Sequence, residues 1–159
     1  MTIGAWVLAL ALLTLLFSDL LDRQENPNRD LQAVVGDQGS MEVVLERNRA
    51  GHYVAAGSIN GYPVTFLLDT GATDVAIPER VARRIGLERG RPSISRTAAG
   101  DVKTWSALLR SVDLGGLKLN TIPASILPNM RGDQVLLGMS YLKRLELVQR
   151  GDTMTLRLP

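Results

Sequence analysis

Phe66-Leu67-Leu68-Asp69-Thr70-Gly71-Ala72-Thr73 is the stretch on which the fold turns. An apolar run ends in a carboxylate, a tight Thr-Gly turn follows, and Val75-Ala76-Ile77 resumes the apolar pattern. The pattern predicts a buried strand that delivers an acid into a sharp turn. An unpaired ionised carboxylate is costly to bury, so Asp69 needs turn N–H donors, a protonated state, or a second carboxyl sharing its proton. Two carboxyls held close cannot both ionise: one acts as base on a water while the other acts as acid. Asp, Thr and Gly are also common turn residues, and the tripeptide by itself fits an ordinary strand-turn. What separates the two readings is the company it keeps.

Downstream, Val135-Leu136-Leu137-Gly138-Met139-Ser140-Tyr141-Leu142 is an apolar-apolar-Gly element that predicts a strand followed by a short helix over 139–145. Together with Leu67-Leu68-Asp69-Thr70-Gly71-Ala72, this resembles the retropepsin-like (clan AA) aspartic proteases, and among them the bacterial, membrane-anchored, single-lobe type. The similarity covers Met41 to Leu158. Met139 and Ser140 follow Gly138 where retroviral members carry an Arg, a match to the cellular and bacterial pattern. The resemblance implies an all-β fold, mostly β with one or two short helices: a closed acid-protease barrel of one lobe, preceded by a transmembrane helix. It implies Asp69, Thr70 and Gly71 as catalytic, with Ala72, Leu137 and Gly138 as the structural motif around them. It implies no cofactor and no metal.

Two extended segments between Ile94 and Val112 flank Thr97-Ala98-Ala99-Gly100-Asp101. In the resembled family a hairpin flap lies at this distance from the active-site turn, which makes Ala98, Ala99 and Gly100 candidate substrate-binding residues. Small residues there let a tip move and approach a backbone closely. A plain surface hairpin is the competing reading. Trp105 beyond it fits a pocket wall or the core.

Upstream, Ile3 to Phe17 carries no charge, and Leu20-Leu21 extends the run past Asp19. A spanning helix needs about 20 apolar residues, so the segment suits an anchor with Asp19 near the interface. A signal peptide usually has a basic start and a small-x-small cleavage site. Met1 to Gly4 has no Lys or Arg and no clear site follows Phe17, which favours an uncleaved anchor over 1–22. Flanking charge does not orient it; the resemblance places the domain on the periplasmic side of a bacterial inner membrane. Residues 23–40 are polar and read as a linker. The protease-like domain is expected over 41–159.

Within that domain, Asn60-Gly61 is a two-residue hairpin signal, because both positions tolerate positive φ. Pro78 suits the start of a helix, Val81, Ala82 and Ile85 recur at helical spacing, and Gly86 suits its end. Arg83, Arg84, Arg89 and Arg91 form a basic cluster that reads as a solvated face, with contact to lipid headgroups as the alternative. Asp113-Leu114-Gly115-Gly116 reads as a hairpin turn and not as a second acid motif. Leu145–Gln149 and Thr153–Leu158 predict a final hairpin.

Composition narrows the rest. Of 159 residues, 18 are basic and 16 acidic, and no basic cluster is interleaved with aromatics, which argues against nucleic acid as a partner. The absence of Cys excludes thiol catalysis and zinc-thiolate sites, and a single His, His52, excludes a multi-histidine metal site. One Asp-Thr-Gly must supply chemistry that needs two carboxyls. A two-lobed chain would need about twice this length, so a C₂ homodimer with one Asp69 from each subunit is expected. The expected partners are a polypeptide substrate, a second copy, and a lipid bilayer. The rival function is a membrane-tethered module that captures extended peptides without cutting them, although binding alone does not require the acid.

Overall fold

The computed structural model describes residues 2–36, 39–97 and 100–159. After a long helix, α1 (Thr2–Glu25), and a two-residue strand, β1 (Val34–Val35), the chain is built of strands with two short helices. In order these are β2 (Met41–Glu46), β3 (Val54–Ile59), β4 (Tyr62–Leu68), β5 (Val75–Pro78), α2 (Glu79–Arg84), β6 (Pro92–Thr97) and β7 (Gly100–Leu114). Then follow β8 (Leu117–Leu127), β9 (Gln134–Leu137), α3 (Met139–Leu142), β10 (Glu146–Arg150) and β11 (Thr153–Arg157). The expected mostly-β architecture with few short helices is what the chain adopts.

Turn chemistry sets the first hairpin. Asn60 and Gly61 both take positive φ, 54° and 86°, as a two-residue turn matched to strand twist requires. This pairs β3 with β4 from Ile59↔Tyr62 to Val54↔Leu67. β5 is buried at all four positions, and a continuous apolar run of that kind belongs in the middle of a sheet. There it pairs in parallel with β8 and touches β9 at Ala76↔Leu136. α2 starts at Glu79, one residue after Pro78, and Gly86 follows its end with φ of 68°.

The larger sheet runs β3-β4-β9-β5-β8-β7-β6 and curls back on itself, because Ser58 and Ile59 of β3 also pair with Asp113 and Val112 of β7. A second sheet, β1-β2-β11-β10, takes the final hairpin and the first strands of the domain, an assembly the sequence did not announce. Between them lies one core that includes Val43, Leu45, Phe66, Ile77, Leu109, Leu137 and Tyr141, all fully buried.

β7 and β8 form one long hairpin whose apolar face changes sides. Leu117 is buried at an odd position of β8, and Ile122, Ala124 and Ile126 at even ones. The phase shifts at Thr121, which has φ of 56°, a conformation rare for a β-branched residue. Arg144 donates to the carbonyls of Asn120 and Thr121 at 2.8 and 3.1 Å and so supports the bent backbone.

Residues 23–40, expected as a polar linker, are bonded to the domain along much of their length. α1 continues to Glu25, and Asn28 is buried. The Asn28 Nδ2 donates to Glu46 O and Val54 O at 2.8 and 2.7 Å, and its Oδ1 accepts from Glu46 N at 2.7 Å. Its carbonyl accepts from Ala56 N, so Asn28 joins the end of β2 to β3. Leu31 and Ala33 pack on the core, and β1 pairs with β2.

Tyr141 is fully buried and its hydroxyl donates to Leu117 O at 2.5 Å. Burial, and secondarily the negative charge of Asp113, push the phenol well above its ordinary value. The folded state thus favours the protonated phenol. Its stabilising contribution is whole below about pH 10 and is lost as pH rises towards the folded value. Tyr141→Phe should cost about 1–2 kcal/mol at neutral pH, because it leaves Leu117 O unpaired. The same variant should lose less stability than the parent above about pH 10. Urea unfolding at the two pH values measures both effects.

Candidate active site

Parallel pairing of β4 with β9, from Thr65↔Gln134 to Leu68↔Leu137, brings two chain ends to one place. Asp69 follows β4 and Gly138 follows β9. The Asp69 N–H donates to Leu137 O at 3.2 Å, which continues the ladder into the turn. The turn then hooks over the start of α3: Met139 N donates to Ala72 O and Ser140 N to Thr73 O, each at 2.8 Å.

Gly138 makes this crossing possible. A Cβ there would lie 2.2 Å from Asp74 O and 2.7 Å from Ala72 O. Its own backbone is ordinary and extended, so close approach is what demands glycine here. The Ser140 hydroxyl closes the arrangement: buried, it accepts from Val75 N at 3.0 Å and donates to Pro123 O at 2.8 Å. One hydroxyl therefore ties α3 to β5, which leaves the Asp69 turn, and to β8.

Asp69 itself is half-buried, and its Oδ1 accepts the Gly71 N–H at 2.8 Å. The Asp69 carbonyl accepts from Ala72 N, and the turn is compact. Thr70 and Gly71 are exposed. The carboxylate is thus held by a backbone donor on one side and open on the other, an arrangement able to bind water or share a proton with a second acid. Among the described residues no cluster of three His, Asp or Glu side chains is placed to hold a metal.

β6 and β7 form the hairpin expected as a flap, paired from Pro92↔Trp105 to Thr97↔Gly100. Gly100 has φ of 106°, while Ala98 and Ala99 lie outside the described residues. Trp105 sits half-buried at the base of this hairpin, with the Arg89 guanidinium 4.0 Å from its ring centroid and Lys103 on it at 5.5 Å. Arg89 also pairs with Glu79, as does Arg83, so the basic cluster is partly a set of ion pairs.

Sequence reasoning placed Asp69, Ala72, Leu137 and Gly138 in one motif set, and the structure brings all four together. It passed over Thr73 and Ser140 as individual contributors. The available signal was a small hydroxyl residue two positions after a glycine at a helix start.

A family profile described as "gag-polyprotein putative aspartyl protease" matches residues 55–144, more than half of the chain and inclusive of both motifs. The chain belongs to the retropepsin-like aspartic protease family. The solved structure of a retropepsin-like aspartic protease from Rickettsia conorii is 28% identical to this retropepsin-like chain. It superposes with a TM-score of 0.62 over 80% of this chain and 94% of its own. An uncharacterized protein in the cobV 5′ region of a Sinorhizobium species is 31% identical over 128 residues, 78% of this chain and 55% of its own. An uncharacterized protein of Rickettsia prowazekii is 32% identical over 106 residues, 65% of this chain and 45% of its own. The chain spans about half the length of these curated relatives.

Two substitutions test the crossing. Gly138→Ala forces a methyl against backbone oxygens that cannot rotate away, and should cost about 3 kcal/mol, the upper end for overpacking. Ser140→Ala leaves the buried Val75 N–H without its partner and should cost about 1–3 kcal/mol. Urea midpoints of the two variants against the parent check both values.

Proposed function

We propose that this chain is a membrane-anchored aspartic endopeptidase that hydrolyses peptide bonds between two Asp69 carboxyls of a homodimer. The observation that carries the reading is the Asp69 turn, delivered by β4 and hooked over Gly138, in a member of an aspartyl protease family. In the proposed reaction one Asp69 carboxylate takes a proton from a shared water, which attacks the peptide carbonyl carbon. The other Asp69, protonated, donates to the carbonyl oxygen, and the proton later reaches the leaving nitrogen.

Thr70 and Gly71 complete the proposed catalytic turn. Their exposure leaves them available to a second copy, and the Gly71 N–H already faces the carboxylate. Gly100, with Ala98 and Ala99, is assigned to a flap that covers an extended peptide, which is held by main-chain hydrogen bonds as an added strand. Helix α1 is assigned to the bilayer. Gly4–Glu25 is long and apolar enough to cross, with mean hydropathy of 2.0 and no burial against the domain, a property that membrane spans share with signal sequences. Residues 1–22 are thus taken as anchor, 23–40 as connector and 41–159 as protease domain, on the periplasmic side.

Asn28 is part of the domain's bonding, so the test uses the full chain in detergent, beside Asp69→Asn. Both are incubated with a diverse peptide library from about pH 4 to about pH 7, a range that spans carboxyl titration. Mass spectrometry of the products should reveal cleavage by the parent and none by the variant. If neither cuts at concentrations where the parent is dimeric, the non-cutting peptide-binding module replaces the endopeptidase.

A further inference from the structure

The end of α1 is tied to the domain by hydrogen bonds at its last residues, while the side chains of 21–25 stay exposed. Asn26 N donates to Asp22 O, which continues the helix, and Asn28 is bonded into β2 and β3 two residues later. Asn48 Nδ2 donates to Glu25 O at 3.0 Å across the junction. On that side a crevice brings Leu21 and Gln24 against Asn48, Arg49 and Ala50. On the other side Asp22 and Glu25 share a crevice with Thr65 and Gln134, and Asp22 pairs with Arg29 at 3.3 Å. A Gly/Ser-rich tether would let the domain swing, and nothing of that kind stands between Glu25 and Asn28.

The apolar run of α1 ends at Leu21, so the loop against Leu21 stands at headgroup level once the helix spans a bilayer. Thr65 and Gln134, at the other crevice, are paired residues of β4 and β9. Both strands run in parallel from that crevice to the Asp69 turn and Gly138. Asp69 lies four residue steps beyond Thr65, about 13 Å of strand. The crevice mixes charges: Asp133 is paired with Arg80 and Arg84 of α2, and Asp22 with Arg29.

We propose that α1 and the protease domain form one rigid unit, which holds the Asp69 site within a strand length of the bilayer surface. Its substrates are then juxtamembrane stretches of membrane-bound polypeptides. The seating rests on the anchor assigned above and not on catalysis; the substrate class rests on both.

The chain has no Cys, so Ala50→Cys supplies a unique label position. The full chain, in an Asp69→Asn background and carrying a fluorophore at that position, is reconstituted into vesicles with a headgroup-attached quencher. Strong quenching is expected, with its loss when a Gly-Ser segment is inserted between Glu25 and Asn26. Equal quenching with and without the insert overturns the rigid unit, and so does recovery of a chain cleaved after the apolar run. In a second arm the active chain meets single-span substrates whose one cleavable stretch is set at increasing distance from the bilayer. Cleavage should fall many-fold as the spacer lengthens, and the insert should move the optimum outward. Cleavage indifferent to spacer length overturns the substrate class. Retained quenching with no cleavage at any spacer removes the catalytic reading and the substrate class together, and upholds the seating.

Discussion

The close crossing at Gly138 is the constraint on which the rest of the structure depends. Two carbonyl oxygens of the Asp69 turn, from Ala72 and Asp74, occupy the space where any other residue would carry its Cβ. Because they fit, Met139 and Ser140 can donate to the turn from below, and the turn becomes an extension of the β4–β9 ladder. A carboxylate at the end of a free loop would sample many positions. This one is fixed by five backbone and side-chain bonds within a few residues, and fixed geometry is what a shared proton or a positioned water requires.

The crossing also links the two halves of the chain. β4 and β5 come from its first half and β8, β9 and α3 from its second, yet Ser140 alone bonds to both β5 and β8. A two-stranded parallel pair cannot be closed by a short turn, so the β4–β9 contact has to be reached through the long β6–β8 excursion. That excursion includes the β6–β7 hairpin. The β6–β7 hairpin and the motif that supports Asp69 are therefore two products of the same topological requirement.

Much of this was legible in residues. The Asn60-Gly61 turn announces its hairpin through φ, a local property. The continuous apolar run at Val75-Ala76-Ile77 announces a strand buried on both faces, and the Asp113–Gly116 turn closes with Gly116 N bonded to Asp113 Oδ1, a local contact as well. The β7–β8 hairpin was harder to read at full length, because the alternation of Leu117 and Leu119 changes phase before Ile122. A period-2 pattern that shifts looks like two strands, and the bend at Thr121 depends on Arg144, twenty-three residues away in sequence. Residues 23–40 are a related case: their polar composition reads as a linker, and the fold adds that Asn28 bonds the backbone of β2 and β3.

The sequence alone determined the family motifs, the mostly-β class and the apolar N-terminal segment, because each is written in short-range pattern and turn chemistry. Tertiary structure decided why Gly138 must be glycine, what the Ser140 hydroxyl holds, how the final hairpin joins β2 in a second sheet, and that Asn28 fastens the helix to the domain. Each of these rests on a contact between residues far apart in the chain. Such contacts are set by the packing of a whole core, which no local window of sequence contains.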